Sequence, residues 1–138
     1  MAHYAFIDDT NTVVEIITGV DENETDNLPS EFSSWEEFYS NRHGKTCLRT
    51  SYNTRHNQHH FGGTPYRGNY AGIGFTYDEV NDVFLPEKIY DSWVIDETLW
   101  DWVSPIGNPP DDGMHYQWNE EAYQADNTTG WELIPEER

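Results

Sequence analysis

The sequence predicts a mainly β, α+β fold: antiparallel hairpins forming a small sheet or a sandwich or barrel, with one short helix near residues 30–43. Three observations carry this. An aromatic and acidic phrase recurs, as "FTYDEVNDVF" (75–84), "WVIDETLWDW" (93–102), "YQWNEEAYQA" (116–125) and, more loosely, "AFIDDTNTVV" (5–14). Each reads as a strand arriving, an Asx residue opening a turn, and a strand leaving. Second, only one stretch shows helical spacing. Third, six Trp and nine Tyr in 138 residues supply the large side chains that short hairpins need for a shared core. The length suits one domain, residues 1–138.

Each element has a local reason. Residues 3–7 and 12–20 are rich in β-branched and aromatic side chains and flank "DDTN", which has turn chemistry; they predict a hairpin. "DENETDN" (21–27) is a solvated acidic loop. Its spacing departs from a calcium loop, with Asp26 and Phe32 where the central Gly and the closing Glu belong. "LPSEFSSWEEFYSNRHG" (28–44) is the helical stretch. Ser34 with Glu37 makes a capping box, Ser30 is an earlier cap, and Gly44 suits the residue past the end. "KTCLRTSY" (45–52) reads as a strand, and residues 53–69 as a long basic, His-rich loop. "YAGIGFTY" (70–77) leads into the hairpin of residues 75–84. Residues 85–92 and the Pro- and Gly-rich 104–113 are connectors.

The net charge of −19 is unevenly spread. Residues 1–37 hold ten acidic side chains and no Lys or Arg, whereas residues 38–77 hold five Lys and Arg and no acid; residues 78–138 hold sixteen acids against Lys88 and Arg138. This pattern has two readings. The basic middle packs against its own acidic flanks, or it docks on an acidic neighbour, another copy included. The overall sign argues against general nucleic-acid binding.

The lone Cys47 allows no internal disulfide and reads as a small core or edge residue. The start of the chain lacks the basic stretch and apolar run of a signal peptide, and no apolar run approaches a membrane span, so a soluble protein made in the cytoplasm is expected. His56, His59 and His60 form an H-x-x-H-H run, but a loop without Cys or carboxylate is a poor metal cage; no metal and no cofactor is expected. The chain lacks a Walker loop, G-x-G-x-x-G, C-x-x-C, G-x-S-x-G and H-E-x-x-H, and the acidic doublets, one per hairpin, do not form a glycosidase pair. No enzyme activity is expected.

"TSYNTR" followed by "RGNYAGIGFTYDEVNDVFLPEKIYDSWVIDE", and then "DGMHYQWNEEAYQ", resembles a group of small proteins of marine tailed phages, particularly cyanophages, in motif order over roughly residues 45–125. The resemblance implies a phage origin and a virion-associated role, and it brings no catalytic residues. Joined to the charge pattern, it leads to an expected function. The chain is expected to be a non-enzymatic virion accessory, foremost a capsid decoration or cement protein, docking on phage structural proteins through Arg49, Arg55, His59, Tyr66 and Arg67. A tail or fibre component is the next expectation, with carbohydrate stacking on Trp93, Trp100 or Trp118. An acidic DNA mimic that inhibits a host protein is the third.

Overall fold

The structure is a computed structural model that describes residues 2–135. It is mainly β, with several small antiparallel sheets and, among the described residues, two helices and no closed barrel. The elements are β1 (Ala2–Ile7), β2 (Val13–Gly19), α1 (Trp35–His43), β3 (Thr46–Thr50), β4 (Thr54–Arg55), β5 (Gln58–His59), β6 (Thr76–Asp78), β7 (Val83–Leu85), β8 (Val94–Asp96), β9 (Asp101–Val103), β10 (Tyr116–Trp118), α2 (Glu120–Ala125) and β11 (Trp131–Leu133). They fall into two compact units. The first runs up to Glu87 and includes Glu97–Asp101; the second comprises Lys88–Asp96 and the chain from Trp102.

The first unit is built on a three-stranded sheet of order β2-β1-β3, antiparallel throughout. The central strand β1 is covered on both faces, as its run of Ala, Tyr, Phe and Ile demands. Tyr4 and Phe6 point to one face, where Trp35 and Cys47 are buried with them and Phe38 and Tyr39 pack alongside. Ala5 and Ile7 point to the other, against Val13, Ala71 and Phe84, with Phe75 and Tyr77 beside them. Helix α1 therefore closes one face, and the β6–β7 hairpin with its approach closes the other. Full burial of side chains such as Tyr4, Phe6 and Phe84 stabilises by about 1.5–3 kcal/mol each. Cys47 is 5 % exposed, and burial pushes its thiol up to about 12.

Helix α1 has the expected ends. Ser34 accepts the Glu37 N–H at its cap, and Gly44 takes φ 70 just past the end. The Glu37 carboxylate accepts from the N–H and hydroxyl of Ser33, not from the N–H of Ser34. The helix starts later than residue 30 because Pro29 closes a turn instead, its carbonyl accepting the Phe32 N–H.

The recurring acidic phrase is partly a turn device. Asp8 Oδ1 accepts the Thr10 and Thr12 amides, and Asp78 Oδ1 accepts those of Val80 and Asn81. β8 and β9 form the third hairpin. The fourth member differs. Asn119 caps a helix, accepting the Ala122 N–H at 2.9 Å, and residues 120–125 form α2, not a returning strand. The reason is composition. "EEAYQA" holds helix formers and no β-branched residue, whereas "EVNDVF" holds two Val. The return strand β11 comes later and pairs Trp131 with Trp118.

In the second unit, Tyr90, Trp93, Trp118, Tyr123 and Trp131 form one ring cluster, with centroids 5.2–6.4 Å apart. The Glu120 carboxylate ties it together by accepting from Ser92, Trp118 and Gln124. Those donors pull its pKa down to about 2.

Candidate functional site

The five expected docking residues do not share one surface. Arg49, Tyr66 and Arg67 come together inside the first unit. Two guanidinium groups pack on the phenol ring of Tyr66, with Arg49 at 4.8 Å and Arg67 at 5.0 Å from its centroid. Arg67 reaches Glu36 at 3.0 Å and Asp82 at 2.9 Å, and its side chain is only 13 % exposed. Arg49 meets Glu22 at 3.5 Å. Burial works against the Arg67 charge, but the bond to Glu36 and the surrounding acids outweigh it and raise its pKa. Burial also raises the pKa of Glu22 and of Tyr66. Two cations face three carboxylates here, so this part of the basic segment is neutralised within the chain. Of the two readings of the charge pattern, the intramolecular one describes Arg49 and Arg67.

The cluster has a structural task. β3 is an edge strand, and the backbone of Arg49 faces outward from it. Its N–H donates to Glu36 Oε2 at 2.9 Å, and its carbonyl accepts from Arg67 Nη1 at 2.8 Å. The ion pair supplies the donor and acceptor that a neighbouring strand would offer, and so closes part of the edge to another chain.

Arg55 and His59 lie elsewhere, on a hairpin set inside residues 53–69. β4 and β5 pair in the register Thr54↔His59 and Arg55↔Gln58. The two residues between them, His56 and Asn57, have φ 49 and 57, a two-residue turn with both centres left-handed. Asn and His tolerate that region better than most residues, and the long loop expected over residues 53–69 holds a hairpin here. The hairpin is pinned to the fold. Asn69 Oδ1 accepts the His56 N–H, Gly68 O accepts the Asn57 N–H, and the buried Thr54 hydroxyl accepts the Tyr66 N–H. Gly68 is required for its φ of 75 and because a Cβ there would meet Val83 and Trp100 at 3.1 Å.

Arg55 and His60 are exposed, and Phe61 beside them is 84 % exposed. Arg55, His56, Gln58, His59 and His60 line a shallow cleft. The Asp101 carboxylate lies 2.7 Å from His56 Nε2. In the His-x-x-His-His run, His59 Nδ1 accepts two backbone amides, and His56 Nε2 faces Asp101.

The expected stacking residues also separate. Trp118 is 7 % exposed and has aromatic neighbours in Tyr90, Trp93, Tyr123 and Trp131, so it is core and not a platform. Trp93, in the same cluster, and Trp100, whose carbonyl accepts from Asn69, are half-buried. None of the six Trp is exposed. Large aromatics bury first, which is why sequence alone could not offer these rings as open faces. Two exposed rings that sequence reasoning missed are Tyr52 and Phe61, the second signalled by its place between "HH" and "GG".

Comparison with known proteins finds no matching family model, no matching curated protein and no matching solved structure.

Proposed function

We propose that the protein is a non-enzymatic virion accessory that docks on an acidic face of a phage structural protein, foremost the capsid lattice, through the hairpin of residues 54–63. One observation carries the docking reading: on a chain of net charge −19, Arg55, His60 and the exposed ring of Phe61 stand together on a pinned, two-stranded projection. The guanidinium of Arg55 favours a local contact with an acidic group, and an exposed aromatic next to it supplies the apolar contact. The virion setting rests on the motif resemblance of residues 45–125. Many identical sites on a symmetric particle make weak single contacts sufficient.

Quantitative mass spectrometry of purified particles, referred to the major capsid protein, tests this reading. Hundreds of copies support the head lattice, and a handful moves the protein to the tail or a fibre. Complete absence sinks the virion reading. Arg55→Glu combined with Phe61→Ser is expected to release the folded protein from particles, whereas retention would remove the hairpin from the interface.

A further inference from the structure

His59 lies in the middle of the proposed docking hairpin and holds the next turn by one atom. Its Nδ1 accepts the N–H of Phe61 and the N–H of Gly63, both at 3.1 Å. A ring nitrogen that accepts carries no proton, so this ring is neutral with its hydrogen on Nε2. The turn is closed further by the Gly62 N–H on the His59 carbonyl at 3.1 Å. Gly63 lies flat against the imidazole: a Cβ at that position would come within 3.1 Å of Nδ1 and Cε1. One imine lone pair thus orders the segment that displays Phe61.

We propose that His59 is a proton-operated latch on the docking surface. Uptake of one proton from solvent at Nδ1 turns the acceptor into a donor facing two donors, and both amide bonds are lost together. The turn opens and Phe61 is no longer presented in a fixed place. The contact needs a bare Nδ1, so the latch responds to acid. The groups around it are few. Arg55 on β4, and His56 and His60 beside the ring, share its cleft and oppose a further positive charge; Gln58 is neutral, and the Asp101 carboxylate lies beyond His56. This inference rests on the docking reading. It predicts tight docking near neutral pH and release on acidification, because an added exposed charge is screened by salt while the ordered anchor is lost.

The test is nitrogen-15 NMR of the full chain between pH 8 and pH 5, paired with co-sedimentation on particles. At pH 8 the His59 ring is expected in the Nε2–H tautomer. Toward pH 5, protection of the Phe61 and Gly63 amides is expected to fall by roughly tenfold or more, the factor that losing one or two ordinary hydrogen bonds gives. His59→Asn, whose Oδ1 accepts where Nδ1 does and does not titrate, keeps both amides protected at both pH values and keeps particle binding at pH 5. His60→Gln leaves the response in place. An Nδ1–H tautomer at pH 8, unchanged protection across the range, or undiminished binding at pH 5 with the amides released overturns the latch as a control on docking. No binding at any pH together with the amide response rejects the docking reading and leaves the proton-driven opening established.

Discussion

Arg55 and Arg67 are the same residue type twelve positions apart, and their surroundings give them opposite meanings. Arg67 is held by Glu36 and Asp82, stacks on Tyr66 and closes the β3 edge. Arg67→Ala is expected to cost about 2–3 kcal/mol in urea unfolding, somewhat less than a fully buried pair because Asp82 keeps water contact. Arg55→Ala, exposed, is expected to stay within about 0.5 kcal/mol. A cost at Arg67 no larger than at Arg55 would remove the edge-closing role. Charge reversal at Arg67 therefore reports on folding, and only reversal at Arg55 reports on docking. Asn69 shows the same dependence on context. It is 3 % exposed, donates to the Phe84 and Trp100 carbonyls and accepts from His56. Asn69→Ala strands these buried groups and is expected to destabilise by about 2–3 kcal/mol; an unchanged denaturation midpoint would contradict that placement.

At the scale of elements, one local chemistry serves two ends. An Asx side chain that accepts an amide two or three residues on starts a hairpin turn at Asp8 and Asp78 and a helix at Asn119. The next few residues decide the outcome, since helix formers after Asn119 continue into α2. Asn119→Ala is expected to cost about 1 kcal/mol, and Asn119→Asp is expected to destabilise as well, because it keeps the cap acceptor but sets a carboxylate against Glu132, whose Oε1 accepts from the Asn119 amide at 2.7 Å. Circular dichroism and thermal unfolding of both variants check this. The pairing of β10 with β11 also needs Gly130, buried where a Cβ would run into the Trp118 ring, so Gly130→Ala is expected to disturb the tryptophan cluster and its fluorescence.

For the whole molecule, stability reflects a balance between repulsion and specific carboxylate bonds. At net charge −19 the acidic side chains repel, so added salt and a fall in pH from about 8 to 5 should both stabilise the chain. Glu22 works in the same direction, because burial raises its pKa and protonation relieves it. Asp8, Asp112, Glu120 and Asp126 work the other way. Each accepts side-chain and backbone hydrogen bonds that lower its pKa in the folded chain. Their contribution is present above the unfolded values, near about 4, and is lost as pH falls through the folded ones. For Glu120 that window closes at about 2. The expected profile of unfolding midpoint against pH is a maximum near about pH 5 with a fall below about 4. Glu120→Gln should soften that fall, and an equally steep acid limb in this variant would show that Glu120 does not contribute.

The sequence by itself determined the local structure. The β-branched and aromatic residues that flank "DDTN" in residues 3–20, the Ser34 and Gly44 ends of α1, and the Asx turns at Asp8 and Asp78 are short-range chemistry: each is decided by a residue and its near neighbours, and each was legible. Only the tertiary structure decided which charges and rings face water. Arg49 and Arg67 look like Arg55 in the chain, yet Glu36, thirty-one residues before Arg67, neutralises one group and leaves the other. Trp118 looks like a stacking platform until Trp131, thirteen residues on, pairs with it. Phe61 looked like one aromatic among many and is left in solvent by a turn that a single histidine nitrogen holds. Burial and ion pairing depend on partners brought together by folding across long separations, and no periodicity in the chain records which partner arrives.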